Sequence, residues 1–396
     1  MPHGINICGP LTATNGIGEA LRGFVRAVQL SGVRYALNDL QHDAQTLRRQ
    51  CAGFVGNNPY GLSCLYFNPN AISERWWPPY AAAYLRDRHN VGFWYWEADR
   101  LRPSWRACAH YFDEIWTGSD FCRRIFESEL QMPVAMIPPV VEVAAEQVEE
   151  PLPIFPGLFV VLCCYDYHSC VQRKNPEAVV RAFRQAFARQ NDVRLVLKAR
   201  TSGLKRRLAR QHRRLRRLVQ GFWPFWSGDR RIVLLGDDLS REQMCGLLRR
   251  CDCLVSLHRS EGFGLHLAEA MCLGIPVIGT GYSGNLDFMR EDNSYLVGYE
   301  LRQVPRGAGP YPPGSCWAEP DVGHAAELLR HVYSHRDEAR EKARRGAAFI
   351  RQQHSPDRVG QILRERLASV WGSTAPNSLG VPGPLSRSFG GRTAAI

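Results

Sequence analysis

Glu261-Gly262-Phe263-Gly264-Leu265-His266-Leu267-Ala268-Glu269-Ala270-Met271-Cys272-Leu273-Gly274-Ile275-Pro276-Val277-Ile278-Gly279-Thr280-Gly281-Tyr282-Ser283-Gly284-Asn285 is the stretch on which the fold is decided. It follows an apolar run at 253–257 that reads as a strand, and it opens a helix. Gly262 and Gly264 permit a tight turn and a close approach of ligand to backbone. The first free amides of the helix then point outward with partial positive charge, a geometry that binds phosphate. Glu269 lies more than a turn into the helix, where its carboxylate accepts hydrogen bonds from hydroxyls such as those of a ribose. Glu261 stands ahead of the turn, where a carboxylate holds sugar hydroxyls instead. Two glutamates eight apart with Gly-x-Gly between them say more than either feature alone; the bland alternative is a helix with ordinary surface glutamates.

Outward from this stretch, short β-rich runs alternate with longer helical ones, as in parallel sheets covered by helices on both faces. Strands are expected near 5–9, 33–38, 64–68, 91–96, 114–118 and 134–138. The plan repeats at 158–164, 193–197, 232–235, 253–257, 276–279 and 295–297. Residues 142–156, with several Glu and Pro and no periodicity, suit an interdomain linker. From Asp321 the pattern turns helical. A last helix is expected over 356–371, with Ser355 as N-cap and Pro356 as first helical residue. The Gly-, Pro- and Ser-rich tail 372–396 reads as disordered.

A length of 396 residues fits two α/β domains, 1–150 and 157–355. Apolar content of 45% and charged content of 22% belong to a globular chain. No run of about 18 apolar residues and no secretion-signal layout occur, so a cytoplasmic, non-spanning protein is expected. The 13 cysteines lack paired Cys-x-x-Cys spacing and read as reduced, buried residues rather than zinc ligands. Lys plus Arg, 50, exceed Asp plus Glu, 38, by 12, which favours a polyanionic partner. Much of the excess lies at 205–217, either a solvated helix or, with Phe222, Trp223, Phe225 and Trp226, an adhesive for an anionic inner leaflet at 205–226. A nucleic-acid-binding protein is the competing class. It explains the charge but not Glu261 to Glu269, so no nucleic-acid partner is expected.

The stretch 261–285 resembles the signature of retaining glycosyltransferases of family 4, whose fold is GT-B. That fold has two Rossmann-like domains facing each other across a cleft and a C-terminal helix returning to the N-terminal domain. The resemblance implies that Glu261 contacts the donor sugar and Glu269 the ribose. It gives the diphosphate to the backbone at Gly264 and Leu265, with Gly262 and Phe263 in the same donor-binding turn. Arg173-Lys174-Asn175-Pro176-Glu177 is similar to the family's phosphate-binding segment, with Lys174 as the point charge on the departing diphosphate. Many members carry an arginine where this chain has Ser169; Arg173 or Lys198 is the candidate replacement. In the Gly-rich turn 9–19 the resemblance makes Gly16 and Gly18 donor-binding candidates.

Residues 91–99 and 112–119 resemble a subset of these enzymes acting in bacterial polysaccharide assembly. Trp96 would stack on an acceptor sugar and Glu97 would orient or deprotonate its hydroxyl, where relatives more often offer a histidine. A buried aromatic strand is the alternative. The implied activity is transfer of a hexose, mannose favoured, from a GDP- or UDP-hexose to a hydroxyl of a glycan or lipid-linked acceptor. No cofactor and no obligatory metal are expected, Asp237-Asp238 reading as a turn. A catalytically inactive nucleotide-sugar sensor and a sugar-nucleotide epimerase are the alternatives on the same fold.

Overall fold

The computed structural model describes residues 3–39, 58–69, 84–143, 155–166, 169–200, 228–236 and 239–373. The basic stretch 205–217 with its aromatics 222–226, Asp237-Asp238 and the tail from 374 onward lie outside the described residues, as does most of the expected linker.

The first sheet is built from β1 (Ile5–Gly9), β2 (Tyr35–Asp39), β3 (Leu62–Leu65), β4 (His89–Phe93), β5 (Glu114–Thr117) and β6 (Val134–Met136), all parallel, in the order 2-1-3-4-5-6. The second holds β7 (Phe159–Asp166), β8 (Val193–Arg200), β9 (Ile232–Leu235), β10 (Cys253–Ser256), β11 (Val277–Thr280) and β12 (Tyr295–Val297). Its order is 12-11-10-7-8-9, again parallel, the doubly wound order in which direction reverses between the first and fourth strands. Helices cover both faces, so the central strands are buried along their whole length and are mainly apolar, with Asn6, Ser63, Ser256 and Thr280 buried among them. Two Rossmann-like sheets of this kind make a two-domain GT-B fold.

The first and last helices start where the sequence supplies a cap. In α1 (Gly16–Ser31) the Asn15 side chain accepts from the Gly18 amide at 3.0 Å. Gly18 is fixed by space, because a Cβ there would lie 2.1 Å from the Ala13 carbonyl oxygen. The last helix, Pro356–Ser373, begins as expected, with Ser355 Oγ accepting from the Arg358 amide at 3.2 Å. Val359, Leu363, Leu367 and Val370 recur on one face and enter the core of the N-terminal sheet with Leu21, Phe24 and Val28. Full burial of Leu363 and Leu367 contributes on the order of 2 kcal/mol each.

Two findings differ from the sequence reading. The strand expected over 91–96 ends at Phe93, because the Tyr95 amide donates to Asn68 Oδ1 (2.8 Å) and the Trp96 amide to Cys122 Sγ (3.4 Å) rather than to the ladder. An antiparallel pair not anticipated joins β13 (Tyr299–Gln303) to β14 (Cys316–Pro320). Cys64, Cys122, Cys163, Cys164 and Cys253 are buried thiols. Among the described residues no helix is long and apolar enough to cross a membrane.

Candidate functional site

In an open parallel sheet, ligands sit beyond the carboxyl ends of the strands where the winding reverses. In the second sheet that point lies between β7 and β10. The chain leaving β7 forms the short helix Val171–Lys174, and the chain leaving β10 forms the turn 257–264 and α2 (Leu265–Cys272). The turn needs Gly264, whose φ of 92° lies in the left-handed region. The amides of Leu265 and His266 precede the first bond of the helix, from Leu267 N–H to the Gly264 carbonyl at 2.9 Å.

These two excursions meet in an ion cluster. Lys174 Nζ lies 2.5 Å from Glu261 Oε1 and Arg173 Nη1 lies 3.1 Å from Glu261 Oε2. Arg173 is 3% exposed; it also donates to the Ser260 carbonyl (2.6 Å) and to Ser169 Oγ (2.7 Å), and it lies 3.6 Å from Glu97 Oε1. Burial opposes ionisation of Glu261, but Lys174 and Arg173 outweigh it and hold the carboxyl well below the usual carboxylate range. Of the two candidates to replace the missing arginine, Arg173 is the one beside Glu261 and bonded to Ser169. Lys198 is buried in β8, opposite Cys164 on the neighbouring strand.

Glu269 stands apart from that cluster. Its side chain is 17% exposed and lies 4.0 Å from Arg241 Nη1. Arg241, from helix Arg241–Arg249, also bonds Glu19 in the first turn of α1 and the Glu142 carbonyl. The Gly16 to Gly18 turn is thereby joined to Glu269 across the cleft. Burial pushes the Glu269 carboxyl up to about 7, with Arg241 opposing. Because the folded protein holds a proton that the unfolded chain releases near pH 4.5, stability is lost as pH rises from about 4.5 to 7. Glu269→Gln removes that loss, so the variant should melt higher than the wild type at pH 8, by about 3 kcal/mol, and converge with it toward pH 5. Melting curves across this range check it; parallel curves would contradict it.

One expectation is corrected, that of an acceptor-stacking Trp96, and the surroundings of Phe263 and Gly262 are defined. Trp96 does not face the cleft: it is 2% exposed, its indole N–H donates to the Arg100 carbonyl at 2.8 Å, and its rings pack on Trp105 and Tyr311. The Phe263 side chain is buried against Phe288 and His354, so only its backbone belongs to the turn. Gly262 serves the junction between the halves, its carbonyl accepting from Ser119 Oγ at 2.5 Å. Glu97, its side chain 25% exposed, remains beside Arg173.

Other residues at the site were not singled out from sequence. Tyr311, in the loop between β13 and β14, packs its ring on Trp96. Burial and then the nearby Glu97 carboxylate push its phenol above the usual range, so it stays a proton donor. The start of β14, which follows this loop, is tied to the N-terminal half by the Cys316 amide, which donates to Asp99 Oδ1 at 2.8 Å. Asp287 receives the Asp120 amide at 2.8 Å from across the cleft, and burial pushes its carboxyl up to about 6. Among the described residues no group of three or more His, Cys, Asp or Glu is placed to hold a metal ion.

No curated protein sequence matches the chain. HepE of Anabaena, solved with UDP and glucose, superposes with a TM-score of 0.62 at 14% identity over 93% of this chain and 100% of its own. A glycosyltransferase of Rickettsia africae gives 0.64 at 11% identity over 94% and 100%. Sucrose-phosphate synthase of Thermosynechococcus elongatus gives 0.64 at 14% over 94% and 100%. At such identities these likenesses show the fold. Residues 159–302, which contain Arg173, Lys174, Glu261 and Glu269, match the family described as "Glycosyl transferases group 1", and that domain on a GT-B fold supports a glycosyltransferase.

Proposed function

We propose that the protein is a retaining glycosyltransferase that moves a hexose from a nucleoside-diphosphate sugar to a hydroxyl of a glycan or lipid-linked acceptor. The observation that carries this reading is the clamp of Glu261 between Lys174 and Arg173 at the reversal point of the second sheet, beside the first amides of α2. Lys174, Arg173 and the amides of Leu265 and His266 supply the positive charge that a departing diphosphate requires, and no metal is needed for that role. Glu261 holds the hexose hydroxyls, and Glu269 the ribose. The bond from the anomeric carbon to the diphosphate breaks while the acceptor oxygen bonds that carbon on the same face. Glu97 orients the acceptor hydroxyl or takes its proton, and placement accounts for much of the acceleration.

The donor resemblance favours GDP-mannose, while HepE was solved with UDP-glucose, which brings a UDP-hexose into consideration. A thermal-shift panel of GDP, UDP, ADP and dTDP tests the reading, since a ligand bound only by the folded form adds about 2.7 kcal/mol at a hundred times its dissociation constant. One of the four, GDP or UDP foremost, should raise the melting temperature by several degrees. No shift with any of them would refute the proposal. A cytoplasmic location with peripheral attachment to an anionic leaflet through 205–226 is part of the same proposal.

A further inference from the structure

His266 is the second residue of α2, immediately after the Gly264 turn, and its ring stands in the field of Lys174, Glu261, His258 and Arg173. Its Nε2 is buried and has no hydrogen-bond partner among the described residues. Leaving such an atom unmet costs roughly 1–3 kcal/mol, so its persistence in a polar cluster points to a ligand atom as the partner. Two neighbours repeat the pattern: Arg173 Nε and Asn175 Nδ2 are also buried and unmet, on residues that are 3% and 5% exposed. Asn175 holds a left-handed φ of 50° next to Lys174. Unmet nitrogens on Arg173 and His266, both beside the Glu261 carboxylate, and on Asn175, next in the chain to Lys174, call for an acceptor rich in oxygen. Burial, then the Lys174 charge, pushes the His266 imidazole down to about 3, so it is neutral and offers one N–H without adding a charge.

We infer that His266 is a donor-binding residue whose Nε2–H donates to the sugar-linked phosphate of a nucleoside diphosphate seated at the start of α2. This rests on the nucleotide-sugar reading above and adds a side chain to a turn whose proposed phosphate contacts are backbone amides. A hydrogen bond to a charged group of this kind is worth about tenfold or more in affinity. It acts on the second phosphate and not on the nucleoside or the first.

The test is calorimetric titration of wild type, His266→Ala and His266→Gln with UDP and UMP, and with GDP and GMP. The quantity read is the preference for diphosphate over monophosphate, which does not depend on the folded fraction of a sample. The expected result is a preference about tenfold smaller in H266A and largely restored in H266Q, whose amide N–H reaches a similar point, with monophosphate affinity unchanged. An unaltered preference in H266A, an equal loss for both ligands, or no restoration in H266Q would overturn the inference. Failure of the wild type to bind any of the four would instead remove the nucleotide-sugar reading beneath it.

Discussion

Replacing Glu261 by glutamine is expected to cost the fold about 3–5 kcal/mol and to lower turnover of the donor by roughly two to three orders of magnitude. The two losses have one origin. Arg173 is almost entirely buried, and its guanidinium is balanced by Glu261 at 3.1 Å and by Glu97 at 3.6 Å. Glutamine fills the same volume but removes the nearer charge, leaving a desolvated cation with a partner only on its far side. It also removes the carboxylate proposed to hold the hexose. The stabilisation depends on pH in the sense opposite to that of Glu269. A carboxyl held below its ordinary value contributes fully above about pH 4.5, and the contribution fades as pH falls further. Wild type and E261Q should therefore differ most in denaturant midpoint at neutral pH and approach each other in acid. Equal midpoints at pH 7, or a variant with unimpaired turnover, would remove the clamp from the mechanism.

Lys174→Met should lower turnover more than it lowers stability. The ammonium is only 13% exposed and is the first of the charges that keep Glu261 ionised, so its removal should cost the fold about 3 kcal/mol, Arg173 remaining as a partner for the carboxylate. Turnover should fall by roughly two to three orders of magnitude, because a cation opposite the leaving diphosphate is worth more as charge develops than in the ground state. Kinetics of UDP-glucose or GDP-mannose hydrolysis, whichever nucleotide the melting panel selects, would show the loss mainly in kcat. A change confined to KM would assign Lys174 to uniform binding instead.

The second half of the molecule was readable from sequence because its chemistry is local. Gly264, the amides after it and Glu269 lie within one turn and one short helix, and the strand ahead of them is a short, fully buried and mainly apolar run. Arg173 and Lys174 were named, but their convergence on Glu261 is a contact across 87 and 88 residues that no spacing encodes. Trp96 was misplaced for a different reason. An aromatic just past a buried strand has the same pattern whether its ring turns to the core or the cleft, and what decides is a neighbour such as Trp105. The β13–β14 pair escaped because Tyr299–Gln303 is exposed along its length and its partner follows a long Gly- and Pro-containing loop, without the two-residue turn that marks a hairpin. Arg241 gave no signal beyond its capped helix; its reach to Glu19 and Glu142 belongs to the meeting of the halves.

Among the bonds that join the halves are those of Ser119 Oγ to the Gly262 carbonyl, the Asp120 amide to Asp287 and the Cys316 amide to Asp99, beside the ion pairs of Arg241 with Glu19 and Arg173 with Glu97. Two of these fasten the segments that flank Glu261, its following glycine and the short helix after Ser283, to the start of the Asp120–Glu129 helix. Under the proposed function, a nucleotide enclosed between the halves would leave only after these bonds part, and that opening would then set a ceiling on turnover.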